Sequence, residues 1–276
     1  MGKSSVGLLA WCLCIMFFFF ADSCRKAVDL KFELENGDAE LGQCVIQEMS
    51  QALPAPLQPQ DLKFYYNSRM DPVSVEASGT NPAYSKWLFY YDNKNRLSQY
   101  IIINPDGSFR FWHIYFHDTE GRITGDSTYS TGIVGQKTTA QYRWFNQLFY
   151  DRLNRIIYET QTGAGQFYAF TYHYNSAGNL TTTIINYNNL DSTTEVWPGY
   201  VDQVNVLLTN KIWRFLARDY SVNSHFTAAS TNERYLPTAY LGANGEYTAD
   251  FFFGGVAANQ GMEIGYDCGR SRAGGY

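Results

Sequence analysis

Histidines, cysteines, carboxylates and loop aromatics are the residues of this sequence whose chemistry depends on placement. The histidines are His113, His117, His173 and His225. His113 and His117 stand four apart, a spacing that puts two zinc ligands on one helical face. Here the surrounding residues 109–116 alternate as a strand does, so the two rings lie two pleats apart, and we expect no metal site. Gly163-Ala-Gly165 has the glycine spacing of a phosphate loop but no helix after it to supply free N–H groups, so we expect no cofactor. There is no GxSxG nucleophile turn. Of the 26 carboxylates, Asp118 and Glu120 share a single turn and read as solvated turn residues. We therefore expect no catalytic residues. The loop aromatics that remain are Trp197 and Tyr200 in Glu195-Val-Trp-Pro-Gly-Tyr200, candidates for stacking on a ligand or for a lid over one end of the sheet.

The five cysteines sort by position. Val6 to Ala21 is an unbroken apolar run behind Lys3, shorter than the roughly 20 residues that cross a bilayer and suited to a signal-peptide core. Cys12 and Cys14 leave with it. Ala21-Asp22-Ser23-Cys24 ends the run as a lipoprotein signal does, with the Cys24 thiol becoming a thioether to diacylglycerol. Ala21-x-Ser23 also fits ordinary signal cleavage, and an uncleaved anchor is the third reading; all three export the chain. The expected organisation is a signal over 1–23, a tether over 24–38 and a single β-meander domain over 39–276. The expected location is the cell envelope, lipid-anchored in the outer membrane. Cys44 and Cys268 remain, either as a disulfide tying the first strand to the last or as two buried thiols.

A net charge of −5 and a pI near 5.4, with no Lys/Arg run, exclude nucleic acid as an expected partner. The membrane, through the N-terminal lipid, and a glycan or protein ligand are the expected partners. Aromatic residues make up 17% of the chain, carried by 22 Tyr and 19 Phe beside 23 Gly, a mixture that favours strands and tight turns.

The elements that must position these residues come from a repeat. Tyr91-Asp92-x-x-Asn95-Arg96-Leu97, His117-Asp118-x-x-Gly121-Arg122-Ile123, Tyr150-Asp151-x-x-Asn154-Arg155-Ile156 and Tyr174-Asn175-x-x-Gly178-Asn179-Leu180 share one pattern. Asp or Asn caps a turn by accepting from the N–H groups ahead of it, and Gly or Asn three residues on tolerates φ > 0. Asn104-Pro-Asp-Gly107 and Gly163-Ala-Gly165 are further turns between the copies. Local turns throughout predict an all-β, antiparallel up-and-down meander of roughly ten to fourteen strands, with the four Asp/Asn turns along one edge and the two intervening turns along the other. Strand residues are apolar on both faces, so the sheet should curl strongly, in a barrel-like way, or be covered on one side. Val206 to Asp219 breaks the pattern with period 3.6. Leu208, Ile212, Phe215 and Leu216 share a face opposite Lys211, Arg214 and Arg218, which predicts one amphipathic helix at about 206–219.

The turn pattern from Tyr91 to Leu180 resembles the YD repeats of Rhs-type bacterial surface and toxin-shell proteins. The wider layout adds Tyr200-Val-Asp-Gln-Val-Asn205, Thr209-Asn-Lys-Ile-Trp213 to Ser221, Leu236-Pro237-Thr238 and a terminal strand near Cys268. It resembles a family of bacterial lipoproteins of unknown function with a porin-like fold. That resemblance implies a curved, many-stranded meander and brings no catalytic residues. Asn175 and Asn179 depart from the repeat's Asp and Arg.

The function these features lead us to expect is a non-catalytic binding or structural module of the envelope, directed at glycans or surfaces. The alternative is a hydrolase acting on envelope or environmental polymers, which would need two inward-facing carboxylates in a concave pocket.

Overall fold

Each Asp/Asn turn is built the same way. In the copy at Asp92, the Lys94 and Arg96 amides both donate to Asp92 Oδ1 at 2.9 Å, and Arg96 Nε donates to Oδ2 at 2.8 Å. These bonds from Arg96 hold the Asp92 carboxyl down at about 2. Asn95 takes the left-handed conformation that the sequence assigned to it (φ 61). A β-bulge at Tyr90/Tyr91 follows from the extra residue in the turn. The copies at Asp118 and Asp151 repeat these bonds.

In this computed structural model, residues 44–51, 60–78, 85–188, 191–196, 199–240 and 262–268 are described. All belong to the unit Leu41–Tyr276; the expected signal, tether and Cys24 lie outside the described residues. The strands are β1 (Val45–Gln51), β2 (Gln60–Tyr66), β3 (Pro72–Ser78), β4 (Lys86–Tyr91), β5 (Leu97–Ile103), β6 (Ser108–His117), β7 (Ile123–Ile133), β8 (Tyr142–Tyr150), β9 (Ile156–Gly163), β10 (Gln166–Tyr174), β11 (Leu180–Tyr187), β12 (Asp191–Val196), β13 (Ala228–Thr231), β14 (Pro237–Tyr240) and β15 (Met262–Asp267). They form one antiparallel sheet of 15 strands in which β1 to β12 follow chain order, and β15, β14 and β13 add outside β1. The Asp/Asn turns therefore share one edge, and the Asn104–Gly107 and Gly163–Gly165 turns lie along the other. The strand count exceeds the expected range because two further turns of the same kind exist, at Asn67–Asp71 and Asn232–Leu236. Asn67 and Asn232 accept the same pair of amides. Their left-handed positions are filled by Met70 (φ 63) and Tyr235 (φ 60). No glycine or asparagine stands at the left-handed position of either turn.

The expected helix is two pieces. A 3-10 turn over Val206–Thr209 is capped by Asn205, and the helix α1 (Lys211–Ala217) by Asn210, whose extended backbone (φ −155) breaks the run. The cause is Asn210 itself: its Oδ1 accepts from the Ile212 amide while its Nδ2 donates to Met70 O at 3.0 Å, anchoring the break to the first turn. The three basic residues do not act as one face, because Arg218 turns inward to Glu159.

The inner face of the sheet is concave, and α1 proves it. Trp213, fully buried, packs edge-on against Phe64 of β2 (5.6 Å) and Phe89 of β4 (5.8 Å). Phe215 packs on Tyr115 of β6 at 5.2 Å, and Arg218 Nε donates to Glu159 of β9 at 2.7 Å. In a flat sheet β2 and β9 would stand roughly 34 Å apart, while a seven-residue helix is only about 10 Å long. Only a tightly curled sheet brings both to one helix.

The curl stops short of closure: β12 and β13 are the two edge strands, and they are not paired with each other. The segment 199–226 reaches from β11 to β13. At one end the Tyr200 hydroxyl donates to Leu180 O of β11; at the other, Gln203 Oε1 accepts from the Ala228 amide of β13 at 2.6 Å. Asn179, 3% exposed, is the docking point, accepting from the Val222 and Asn223 amides at 3.0 Å. An arginine there, as in the other copies, would leave no room for this segment.

On the outer face the loop after β7 covers Phe109, Ile101 and Trp112. A bulge at Ile102/Ile103 turns Phe109 to this face, away from the Phe111, His113 and Tyr115 set that strict alternation assigns it to. Cys44 and Cys268, flanking the paired β1 and β15, are joined by a disulfide across 224 residues.

Candidate functional site

The inner face divides into two zones. Toward the Asp/Asn turns it is filled by α1. Toward the opposite rim it is lined by half-buried side chains: Phe111 and His113 on β6, Trp144 on β8, Gln161 on β9 and Tyr168 on β10. The register sets them side by side, with His113 opposite Thr128, Thr128 opposite Trp144, Asn146 opposite Gln161 and Gln161 opposite Tyr168. Gly163, paired with Trp144, permits this arrangement. A Cβ there would lie 2.3 Å from Arg143 O and 2.7 Å from Trp144 Cδ1.

Beneath these rings lies a buried carboxylate. Asp126 is 1% exposed. Its Oδ2 meets His113 Nδ1 at 2.8 Å and accepts from Asn146 Nδ2 at 3.3 Å, while Thr128 Oγ1 lies 3.0 Å from the same His113 nitrogen. Both contacts converge on one oxygen. Asp126 Oδ1 and Asn146 Oδ1, each inaccessible to bulk solvent, have no hydrogen-bond partner among the described residues. Buried acceptors are ordinarily bonded, so two orphaned on neighbouring strands are unusual. Burial, with the Asp126 charge adding to it, pushes the Tyr115 hydroxyl well above its ordinary range.

The plugged zone holds a second buried carboxylate of the inner face, Glu159, and both of its oxygens are engaged. Arg218 Nε donates to Glu159 Oε2 at 2.7 Å, Arg218 Nη2 to Oε1 at 3.3 Å, and the Tyr172 hydroxyl to Oε2 at 3.3 Å. Glu159 is thus committed to holding the end of α1 and is not a second carboxylate for the Asp126 site.

The outer face carries a separate apolar groove of about 450 Å³ between Phe116, Phe145 and Phe149, with Gly125 at its floor and Gln147 alongside. These three rings are 48%, 38% and 48% exposed. Its lining includes Arg122, whose Nε already bonds Asp118 at 2.8 Å.

Of the aromatics singled out in the sequence, Trp197 lies outside the described residues. Tyr200 is half-buried, its hydroxyl bonded to Leu180 O and to Ser221 Oγ (3.0 Å) and its ring 3.9 Å from that of His225. The structure gives it a clamping role at the sheet's end. His113 is brought to Asp126, whereas His117 sits at the start of its turn. No group of three or more His, Cys, Asp or Glu side chains is arranged to hold a metal among the described residues. Sequence reasoning passed over Asp126 and Asn146. The available signal was a carboxylate and an amide at inward positions of strands whose other inward residues are aromatic.

No family model matches the chain, and no curated protein matches it. Among solved structures, it is similar to a porin-like protein from Bacteroides uniformis, with 11% identity and a TM-score of 0.45 over 80% of this chain and 98% of that one. It is also similar to the TcdB2-TccC3-Cdc42 complex, with 14% identity and a TM-score of 0.29 over 53% of this chain. A third is the Tc holotoxin pore of Photorhabdus luminescens, at 13% identity and a TM-score of 0.30 over 72% of this chain. The chain spans only 9% and 12% of the lengths of those two toxin chains.

Proposed function

We propose that this chain is an exported, lipid-tethered binding module that holds a sugar ring in the open zone of its curled sheet. The observation that carries this reading is the pair of orphaned acceptors, Asp126 Oδ1 and Asn146 Oδ1, beneath half-buried Phe111, Trp144 and Tyr168. Sugars offer polar groups around the ring edge and an apolar C–H face. A concave site pairing buried acceptors with aromatic faces meets both requirements. A hydrolytic reading finds less support, because Glu159, the other buried carboxylate on the inner face of the strands, is engaged by Arg218. The lipid tether rests on the Ala21-Asp-Ser-Cys24 sequence. Acylation of Cys24 would hold the module at the membrane, leaving the sheet free to meet its ligand.

The test is calorimetric titration of the purified full chain in detergent with a panel of soluble mono- and disaccharides. Trp144→Ala should weaken binding about tenfold, the scale of one aromatic contact. Phe116→Ala, on the outer face, should leave it unchanged. Binding lost in Phe116→Ala and kept in Trp144→Ala would move the site to the outer groove and overturn this reading.

A further inference from the structure

We infer that the ligand held at Asp126 carries an ammonium group, as a sugar with a free amine does, seated on Asp126 Oδ1 and Asn146 Oδ1. This rests on the carbohydrate reading and narrows it to amino sugars. The two buried strand carboxylates on the inner face show why. Glu159 receives a guanidinium, Arg218, which bonds both of its oxygens. Asp126 is the more deeply buried of the pair, yet His113 and Asn146 both meet Oδ2 alone. The contact from His113 Nδ1 is to Oδ2, which leaves Oδ1 without a partner among the described residues.

A buried carboxylate calls for a counter-charge as well as hydrogen bonds. A single hydroxyl offers one donor and no charge. An ammonium offers three donors from one compact nitrogen, enough to serve Asp126 Oδ1 and Asn146 Oδ1 together, and it brings a positive charge to the oxygen that His113 does not meet. The surroundings suit it. Phe111 lies 6.2 Å from the His113 ring, and Trp144 stands two residues from Asn146 on the same face of β8. Aromatic faces at such a site attract a cation through the ring quadrupole while packing on the apolar part of the sugar.

The test compares glucosamine, N-acetylglucosamine, glucose and a simple alkylamine by calorimetry on the full chain in detergent. Glucosamine should bind at least about tenfold tighter than N-acetylglucosamine, glucose or the alkylamine. Asp126→Asn, a near-isosteric neutral change whose fold is checked by circular dichroism, should abolish the preference for the amine. Asn146→Leu should weaken glucosamine while leaving its advantage over glucose, since the charge remains. Equal affinity for all three sugars would overturn the ammonium and leave the sugar reading standing. An alkylamine binding as tightly as glucosamine would keep the ammonium and overturn the sugar. Binding by none of the probes would overturn both.

Discussion

Glu159 and Asp126 face the same interior from β9 and β7, and the chain treats them differently. Glu159 meets a guanidinium from the end of α1 and the Tyr172 hydroxyl of β10, so its charge is matched and both of its oxygens are bonded. Asp126 meets a histidine and an amide from its own sheet, both on one oxygen. The difference teaches that the sheet alone supplies inward acceptors, while a matching cation has to come from something seated inside the curl. In the turn-side zone that something is α1. In the other zone the described residues provide no equivalent, and this asymmetry is why we propose a ligand site in one zone beside a structural joint in the other.

The largest expected effect follows from breaking the matched pair. Arg218→Met leaves Glu159 buried without its cation, and urea unfolding should show a loss of about 3–5 kcal/mol. Asp126→Asn should cost less than about 1 kcal/mol, because it removes a buried charge that lacks full compensation. Similar losses in the two variants would erase the distinction between the zones.

A smaller effect should come from Asn179, which docks the segment that carries Arg218. Asn179→Ala removes acceptors for the Val222 and Asn223 amides and should cost about 1–3 kcal/mol. The double variant with Arg218→Met should fall short of additivity, since both changes release one segment. Full additivity would mean that the docking point and the ion pair act independently.

The smallest effect near neutrality is one of alkaline pH. Burial pushes Tyr150, on the turn-side strand ends, up to about 12, with Arg218 pulling it back and Glu159 adding to the rise. Tyr240 is likewise pushed up to about 12 by burial. A folded pKa above the unfolded value gives stability that is complete below the unfolded pKa, about 10. That stability is lost as pH rises through the folded value. Denaturation midpoints should therefore hold to about pH 10 and fall between 10 and 12, together with the ultraviolet signal of tyrosine ionisation. Buried tyrosines titrating near 10 in a protein that is still folded would contradict the tight packing of the plugged zone.

Much of the fold was legible because it is written in short-range chemistry. The turns at Asp92, Asp118, Asp151 and Asn175 each complete their bonds within five residues, so the pattern that predicts them is also what builds them. Met70 and Tyr235 were not legible. Their positive φ is held by the same asparagine bonds as in the other turns, and the side chain that tolerates it gives no sign. The helix boundary was misplaced for a related reason: period 3.6 runs across Asn210, but a bond from that residue to Met70 O, 140 positions away, ends the regular helix.

The departure of Asn179 from the repeat's arginine was visible in the sequence; what it accommodates was not. Its partners, Val222 and Asn223, lie more than forty residues further on and meet it only when the sheet curls. The same holds for the candidate site. His113, Asp126 and Asn146 are unremarkable strand residues taken singly, and each is set facing inward by alternation, which the sequence does determine. Which inward residues are then plugged, and which are left facing the open zone, depends on where α1 comes to rest. That is decided by packing between residues far apart in the chain, such as Trp213 with Phe64 and Arg218 with Glu159. Local hydrogen bonding and period-two patterning are properties of the sequence; the curl that joins β2 to β9 through one short helix exists only in three dimensions.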